Sequence, residues 1–353
     1  MEIGAGGSAG AGGTGATVVA GGTGGETGTG GVRTTSGSSG ASDTPDGGGN
    51  TDTRTHAITE FTISAEYSAP NRITAGPDGN LWFTEYAGNN IGRITTGGAI
   101  TEFPIPTSAS GPCGITPGPD GNLWFVETTG NNVGRMTTSG SITEFPLPNP
   151  GSVPYGIVPG PDGNLWFSEN NARIGHITIA GAITEFAVPT ATGSESGAAR
   201  PRGIAAGSDE NLWFTDQSGG FVDCMTTGGI ISPFKVPTRS SQPYDIAAAP
   251  DGDLWFTESS GSRIGCMTTT GTITEFLLPT LGTIPLIITP GPDNALWFTE
   301  NGSNTVGRIT YDGTISEFPI PTANASPTGI TTGPDGNLWF TENNASKIGR
   351  ITP

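Results

Sequence analysis

The side chains best suited to binding or reaction follow a proline that recurs along the chain. Tyr155, Arg202 and Tyr244 each stand directly after such a proline, and Asp245 comes next in the sequence. Two aromatic planes with a guanidinium between them suit a flat or anionic ligand. In the other copies, the position after the proline holds Asn71, Cys113, Leu286 and Thr328. Cys113 is the one candidate nucleophile among these side chains, and no histidine adjoins it in sequence to act as a base.

These positions belong to a repeat that the tryptophans mark most clearly. The sequence Leu-Trp-Phe-Thr-Glu, or a close variant, surrounds all seven tryptophans: Trp82, Trp124, Trp166, Trp213, Trp255, Trp297 and Trp339. Successive tryptophans lie 42 residues apart, except for one interval of 47 residues. A fixed period of this length is typical of repeat architectures.

The second unit shows what each repeat encodes. Residues 112–116, 123–127, 133–137 and 141–145 are short runs of branched and aromatic residues that predict four strands. Between them stand Pro-Asp-Gly-Asn and Gly-Asn-Asn segments, which predict turns because Asn and Gly tolerate left-handed backbone conformations. No helical spacing of comparable length competes with this pattern. Four short antiparallel strands per repeat predict a propeller blade, so the chain is predicted to be an all-β, seven-bladed β-propeller.

The two ends of the repeat region predict how the ring closes. The last unit reaches Pro353 without a fourth strand, whereas Ile58-Thr59-Glu60-Phe61 has the sequence of one. We therefore expect the N-terminal strand to complete the last blade, which removes exposed sheet edges. The predicted domains are a propeller over residues 56–353 and a disordered Gly/Ser/Thr-rich linker over residues 1–55.

The linker bears on localisation. Residues 1–55 contain few charges and almost no large apolar residues, so they cannot bury a core. No signal for export and no membrane span is visible in the chain. Because such spacers hold domains away from a membrane or cell wall, we expect an exported, periplasmic or cell-surface protein whose signal was removed or lies upstream.

The charge excludes one class of partner. The net charge is −18, of which residues 1–55 contribute −3, leaving −15 for the predicted ring. The whole chain has only two lysines, Lys235 and Lys347. An acidic surface repels phosphate backbones, so we expect no nucleic-acid partner. A solvated, self-repelling surface is the simplest interpretation, and we expect a monomer.

The cysteines favour neither a disulfide framework nor a metal site. The chain has three, Cys113, Cys224 and Cys266, with no short-range pairing and no metal-ligand spacing. Cys224 and Cys266 occupy the same third-strand position of adjacent units, where arginine stands in others. We expect all three to be small strand residues.

The one long interval places extra residues beside the candidate site. They fall within residues 190–200, between a fourth strand and the first strand of the next unit. In a propeller that connection runs from the rim to the central channel. The extra loop is therefore expected either to overhang the channel mouth, where loops carry function, or to be a tolerated surface insertion.

The repeats resemble those of the streptogramin lyases, or virginiamycin B lyases, which are seven-bladed propellers. The shared motifs are Gly-Pro-Asp-Gly-Asn-Leu-Trp-Phe-Thr-Glu, Asn-x-Ile-Gly-Arg-Ile-Thr and Gly-x-Ile-Thr-Glu-Phe-Pro-Ile-Pro, which recur over residues 56–353. The resemblance implies antibiotic resistance through a carbon–oxygen lyase that linearises a type B streptogramin by elimination. It also implies an acid, a base and a magnesium ion that polarises a carbonyl.

The residues that would carry this chemistry are only partly present. In the resembled family, histidines follow the first-strand proline in two neighbouring blades, and a tyrosine fills that position in the next. Here Tyr155 and Tyr244 match the tyrosine, but no copy has the histidine. His56 and His176 fall at other positions that should not face the channel. A glutamate of the Leu-Trp-Phe-Thr-Glu motif helps to hold the family's metal. Its six copies here favour a structural role: Glu85, Glu127, Glu169, Glu258, Glu300 and Glu342, with Asp216 at this position in the fourth unit.

Three functions therefore stay open. The first is a non-catalytic ring that binds a small molecule or a protein at the channel mouth, using Tyr155, Arg202, Tyr244, Asp245, Cys113, Asn71 and Thr328. The second is an enzyme, either the magnesium-dependent lyase of a type B streptogramin with a substituted base or a catalyst of another reaction. The third is a surface interaction module on a flexible stalk, which makes contacts through its rims. The missing histidines favour the first over the second.

Overall fold

The computed structural model describes residues 56–65 and 67–353, so the predicted linker, residues 1–55, lies outside the described residues. Within them, 28 strands form seven four-stranded antiparallel sheets. The all-β, seven-bladed propeller predicted from the sequence is confirmed. Among the described residues, no helix is long and apolar enough to cross a membrane.

The first four blades follow one another along the chain. Blade 1 contains β2 (Pro70–Ala75), β3 (Leu81–Glu85), β4 (Asn90–Ile94) and β5 (Ile100–Pro104). Blade 2 contains β6 (Pro112–Pro117), β7 (Leu123–Glu127), β8 (Asn132–Met136) and β9 (Ile142–Pro146). Blade 3 contains β10 (Pro154–Pro159), β11 (Leu165–Glu169), β12 (Arg173–Ile177) and β13 (Ile183–Ala187). Blade 4 contains β14 (Pro201–Ala206), β15 (Leu212–Asp216), β16 (Phe221–Met225) and β17 (Ile231–Lys235).

The last three blades complete the ring. Blade 5 contains β18 (Pro243–Ala248), β19 (Leu254–Glu258), β20 (Arg263–Met267) and β21 (Ile273–Leu277). Blade 6 contains β22 (Pro285–Pro290), β23 (Ala295–Glu300), β24 (Thr305–Thr310) and β25 (Ile315–Pro319). Blade 7 contains β26 (Pro327–Thr332), β27 (Leu338–Glu342), β28 (Lys347–Ile351) and the N-terminal β1 (Ile58–Thr62).

The closing strand pairs as the sequence predicts. β1 runs antiparallel to β28, with Ile58 opposite Ile351 and Thr62 opposite Lys347. The Lys347 Nζ atom lies 3.0 Å from Glu60 Oε2, so an ion pair joins the two strands. The N-terminal strand therefore closes blade 7.

Third and fourth strands begin one residue away from the predicted positions in blade 2. β8 covers 132–136 and β9 covers 142–146, against the predicted 133–137 and 141–145. The Thr137 amide donates to the Ser141 carbonyl at 3.0 Å, which places both residues in the tight turn between the strands. Side-chain alternation alone does not show where a ladder ends and its turn begins.

Each tryptophan is fixed by the turn that precedes it. In blade 1, Trp82 Nε1 donates to Asp78 Oδ1 at 3.0 Å, and the Trp82 indole stacks on Phe103 with 5.5 Å between ring centroids. On the next strand, position 92 requires glycine, because a Cβ there would lie 2.1 Å from the Phe83 ring. Trp82 also packs against Leu123 and Phe125 of blade 2, so the core lies between neighbouring blades.

Strand direction defines two faces of the ring. First strands begin, and second strands end, on one face, which we call the mouth face. Turns between first and second strands, and between third and fourth strands, lie on the opposite face. Residues after the recurring prolines therefore lie together at the mouth face, around the channel that the first strands line.

Candidate functional site

Five side chains meet where the first strands begin, and we call this group the mouth plug: Arg72, Tyr155, Arg202, Tyr244 and Asp245. The hydroxyls of Tyr155 and Tyr244 share a hydrogen bond, and the two rings stand perpendicular, at 86°. The Arg202 Cζ atom lies 4.4 Å from the Tyr155 ring centroid and 5.2 Å from that of Tyr244. The structure thus brings the two tyrosines and the guanidinium together as the sequence suggests.

The second half of the mouth plug is an ion pair across the channel. Arg72 Nη1 of blade 1 lies 3.4 Å from Asp245 Oδ1 of blade 5, and both side chains are nearly buried. Burial raises the pKa of Asp245, and the adjacent guanidinium and the Ile288 amide counter part of that rise. The Asp245 carboxylate is therefore already paired with Arg72 and is not the group that we expect a ligand to contact first.

Arg72 is the member of the mouth plug that sequence reasoning missed. It stands two residues after its proline, where glycine occurs in blades 2, 3, 4 and 7. In those blades the first strand of the next blade approaches closely, and a Cβ on Gly203 would lie 2.5 Å from Asp245 Cα. Three blades lack glycine at this position and carry Arg72, Asp245 and Ile287 instead. The opposite charges of two of these three side chains are the signal that could have revealed the pair.

The other predicted residues lie beside the mouth plug with different partners. Cys113 is buried, and its Sγ atom lies 3.7 Å from Asn71 Oδ1. Burial raises the pKa of the Cys113 thiol, so the thiolate that a nucleophile requires is disfavoured. Thr328 Oγ1 is 3.2 Å from the Pro70 carbonyl and 2.8 Å from Thr341 Oγ1, which ties it into the scaffold.

Tyr155 is a poor base in this setting. Tyr155 is only 9% exposed. Burial and the facing Tyr244 hydroxyl raise the pKa of Tyr155 well above its ordinary value, although Arg72 and Arg202 oppose the shift. A neutral phenol can donate a hydrogen bond but does not abstract a proton from carbon at neutral pH.

The long loop forms one wall of a cavity beside Arg202. This cavity, of about 450 Å³, is lined by Glu195, Ser196, Arg200, Arg202, Gln217, Ser218, Ser240 and Gln242. Arg202 Nε donates to Gln217 Oε1 at 2.9 Å, which fixes the guanidinium at the edge of the cavity. Of the two interpretations of residues 190–200, the geometry favours a loop beside the channel mouth.

One carboxylate anchors that loop. Glu195 Oε2 accepts a hydrogen bond from the Ser240 amide at 2.7 Å, and Glu195 Oε1 lies 3.2 Å from Lys235 Nζ. The Ser240 hydrogen bond and the Lys235 charge outweigh the effect of burial and lower the pKa of Glu195. The loop is thereby connected to the segment that enters blade 5.

A second cavity continues the first along the mouth face. It measures about 410 Å³ and is lined by Gln217, Gln242, Tyr244, Ser259, Ser260, Ser262, Gly282, Ile284 and Leu286. Gln217 and Gln242 line both cavities, so the two form one groove, which we call the mouth groove. The groove extends from the long loop, over blades 4 and 5, to the start of blade 6.

The mouth does not fit a magnesium ion. Magnesium takes oxygen ligands, above all carboxylates, whereas two guanidiniums lie at the channel entrance and the Asp245 carboxylate between the blades is paired with Arg72. Among the described residues, no group of three or more His, Cys, Asp and Glu side chains could hold a metal ion. The side chains at the mouth therefore support no reaction step that uses magnesium.

The glutamates of the Leu-Trp-Phe-Thr-Glu motif are buried inside their own blades. Asn132 Nδ2 donates to Glu127 Oε2 at 2.9 Å, and Ser303 Oγ donates to Glu300 Oε2 at the same distance. Burial, together with a nearby fourth-strand glutamate, raises the pKa of all six to about 7 or 8. Their surroundings agree with a structural role within the blade.

Both histidines lie away from the mouth plug. His176 Nε2 is 3.0 Å from Asp162 Oδ2, and its ring packs on Trp166. His56 Nδ1 is 2.9 Å from the Thr352 carbonyl, beside Phe318. Neither ring is placed to exchange a proton with a molecule at the mouth.

Fold and site together define a seven-bladed β-propeller with a cluster of contacting aromatic and charged side chains at its mouth and a groove beside them. Residues 49–199 and 194–353 match the model of the Virginiamycin B lyase family. The chain belongs to this family. A search of curated proteins found no match.

Solved structures support the assignment over nearly the whole ring. Virginiamycin B lyase from Staphylococcus aureus is 40% identical, with a TM-score of 0.80, over 85% of this chain and 100% of that one. A streptogramin B lyase structure is 40% identical, with a TM-score of 0.79, over 84% and 97% of the two chains. A catalytically inactive histidine-to-alanine variant of the Staphylococcus aureus enzyme, with quinupristin, matches with 40% identity and a TM-score of 0.80, over 85% and 100%.

Proposed function

We propose that this protein is a non-catalytic binding member of the Virginiamycin B lyase family that takes a small anionic molecule at its mouth. The proposal depends above all on the position of the Arg202 guanidinium. This guanidinium is positioned by two tyrosine rings and by Gln217, at the edge of the first cavity. No carboxylate of the described residues forms an ion pair with it. A fixed guanidinium that faces a cavity suits a carboxylate or phosphate ligand.

The mouth plug supports binding over catalysis. Elimination requires a base beside the proton that leaves and an acid beside the departing oxygen. The positions that would supply this base and acid hold no histidine. The hydroxyls of the two tyrosines there are hydrogen-bonded to each other. The Arg72–Asp245 ion pair crosses the entrance from blade 1 to blade 5. A ligand is therefore expected beside the mouth plug, in the mouth groove.

Binding of 2-naphthoate, a flat carboxylate, tests the proposal by calorimetry on the full chain. We expect a complex that weakens as salt is added. Arg202→Gln should weaken it at least tenfold, because a charge-assisted hydrogen bond contributes about 1.5–3 kcal/mol. Arg93→Gln, on a third strand of blade 1, is the matched control and should leave the affinity unchanged. Equal affinity in the Arg202→Gln variant would contradict the proposal.

The family lyase is the second candidate, supported by 40% identity over the full length of a solved virginiamycin B lyase. Incubation with quinupristin and magnesium, with and without a chelator, separates the two by mass spectrometry. We expect intact quinupristin. A linear elimination product that disappears on chelation would establish a lyase without the family's histidines, and a rims-only interaction module would bind neither quinupristin nor 2-naphthoate.

Export and a monomeric state are parts of the same proposal. The Gly/Ser/Thr-rich sequence of residues 1–55 supports a domain held away from a surface. The net charge of −18 supports a self-repelling monomer. Cell fractionation with protease protection checks the first, and light scattering checks the second.

A further inference from the structure

The mouth groove has two chemically different ends. The first cavity carries Arg200 and Arg202, and the Glu195 carboxylate that also lines it is engaged by Lys235 and the Ser240 amide. This end therefore favours an anion. The second cavity carries Ile284 and Leu286, and Tyr244 also lines it.

The apolar end of the mouth groove is exposed to solvent. Ile284 is 43% exposed, and Leu281 in the same loop is 73% exposed. A positive φ before the first-strand proline recurs in other blades, at Ala69, Val153, Gln242 and Ser326, so the 52° of Ile284 belongs to the repeat backbone and leaves the side chain free to vary. An apolar surface next to a cavity of about 410 Å³ is a place where an apolar group of a ligand gains most from burial.

The middle of the mouth groove is polar without being charged. Gln217 and Gln242 line both cavities. Gln217 Oε1 already accepts a hydrogen bond from Arg202. Ser259 and Ser260 continue this polar section toward blade 6. A ligand that spans the groove thus meets cationic, polar and apolar side chains in that order.

From this arrangement we infer that the ligand is an amphiphilic carboxylate, with its carboxylate at Arg202 and Arg200 and its apolar chain on Ile284 and Leu286. The inference rests on the proposed binding function and adds the chemical class of the ligand. Two cavities of about 450 and 410 Å³ fall within the size of small-molecule sites. The two arginines favour the carboxylate of the ligand. The apolar side chain of the loop before blade 6 favours its hydrocarbon chain.

The length dependence of binding tests the inference. Calorimetry on the full chain compares sodium hexanoate with sodium decanoate. Each methylene that leaves water adds about 0.8 kcal/mol when fully buried, so partial burial of the additional chain predicts at least a tenfold gain in affinity for decanoate. Decanol, which lacks the charge, should bind at least tenfold more weakly than decanoate.

Two isoleucine variants locate the chain. Ile284→Asp should abolish the advantage of decanoate, and it should fold, because Asp tolerates a positive φ better than a β-branched residue. Ile230→Asp changes an isoleucine that is 71% exposed in the turn between β16 and β17, on the opposite face, and should preserve the advantage. Equal affinities of hexanoate and decanoate, or an equal loss in both variants, would overturn the inference.

The outcomes also separate the inference from the proposed function. If 2-naphthoate binds through Arg202 while chain length has no effect, the ligand class is wrong and the binding function stands. If no carboxylate binds in an Arg202-dependent manner, both are wrong.

Discussion

Glu258 provides a direct test of how the buried motif glutamates affect stability. Its side chain is 0% exposed, and neither carboxyl oxygen has a hydrogen-bond partner in the described part of the chain. Burial, followed by the charge of Glu275, raises the pKa of Glu258 from 4.5 to about 8. We predict that Glu258→Gln stabilises the ring at pH 8 and has little effect at pH 5.

Proton linkage fixes the direction in which the free energy of unfolding changes with pH. Between pH 4.5 and 8, the folded protein binds a proton at Glu258 that the unfolded chain has released. The stability contributed by the neutral carboxyl is fully present below pH 4.5 and is lost as the pH rises toward 8. A shift of this size corresponds to an upper limit of about 5 kcal/mol, at about 1.36 kcal/mol per pKa unit. Water entry and local relaxation reduce such costs, so we expect about 2 kcal/mol at pH 8.

Thermal unfolding at pH 5, 6, 7 and 8 measures the effect. For a domain of this size, about 2 kcal/mol corresponds to about 3 °C in Tm. Glu258→Gln should show that gain at pH 8 and match the unsubstituted protein at pH 5. Glu210→Gln, at an exposed position, is the control and should follow the unsubstituted protein throughout. A destabilised Glu258→Gln protein at pH 8 would show that the carboxylate is needed in its ionised form, and the reasoning would be wrong.

Four further predictions follow from other contacts. Arg72→Met should lower the free energy of unfolding by about 3 kcal/mol, because it leaves Asp245 buried without its partner. Adding Asp245→Asn to that variant should restore part of the loss. Urea unfolding measures both effects. Glu195→Ala should free residues 190–200 from Ser240, seen as faster hydrogen exchange of those amides with an unchanged Tm. Ile284→Gly should raise stability by about 1 kcal/mol by relieving the positive φ, whereas a lower Tm would show that the isoleucine contributes packing. A chain that starts at residue 56 should unfold at the Tm of the full chain, and a loss of more than a few degrees would move the predicted domain boundary.

Much of the fold could be predicted because its determinants are local and repeated. The Asp-Gly turn recurs in most blades, as do the tryptophan that donates a hydrogen bond to that aspartate and the glycine that faces a phenylalanine. Their spacing reveals strand number and ring closure. Strand limits were displaced by one residue because turn hydrogen bonds, such as Thr137 to Ser141, leave no mark in the apolar pattern.

The proximity of the candidate residues could be predicted in part, for a physical reason. Tyr155, Arg202 and Tyr244 could be grouped because equivalent positions of nearby blades converge on one axis. Arg72 was missed because its contact with Asp245 crosses the channel, between blades that are distant in sequence. Gln217 and Gln242 lie in hairpin and connecting loops, where the repeat specifies length but not side chain, so no periodic signal indicated that they line both cavities.

The closing strand has a practical consequence for how the protein can be handled. β1 begins and β28 ends on the face opposite the mouth, since Ile58 pairs with Ile351 there. Both points at which the backbone leaves the ring are thus on the side away from Arg202 and Ile284. A sensor surface, a resin or a fused carrier protein attached at either point would orient the mouth groove toward solvent. Ligand screening by immobilisation is therefore expected to report the same affinities as the protein in free solution.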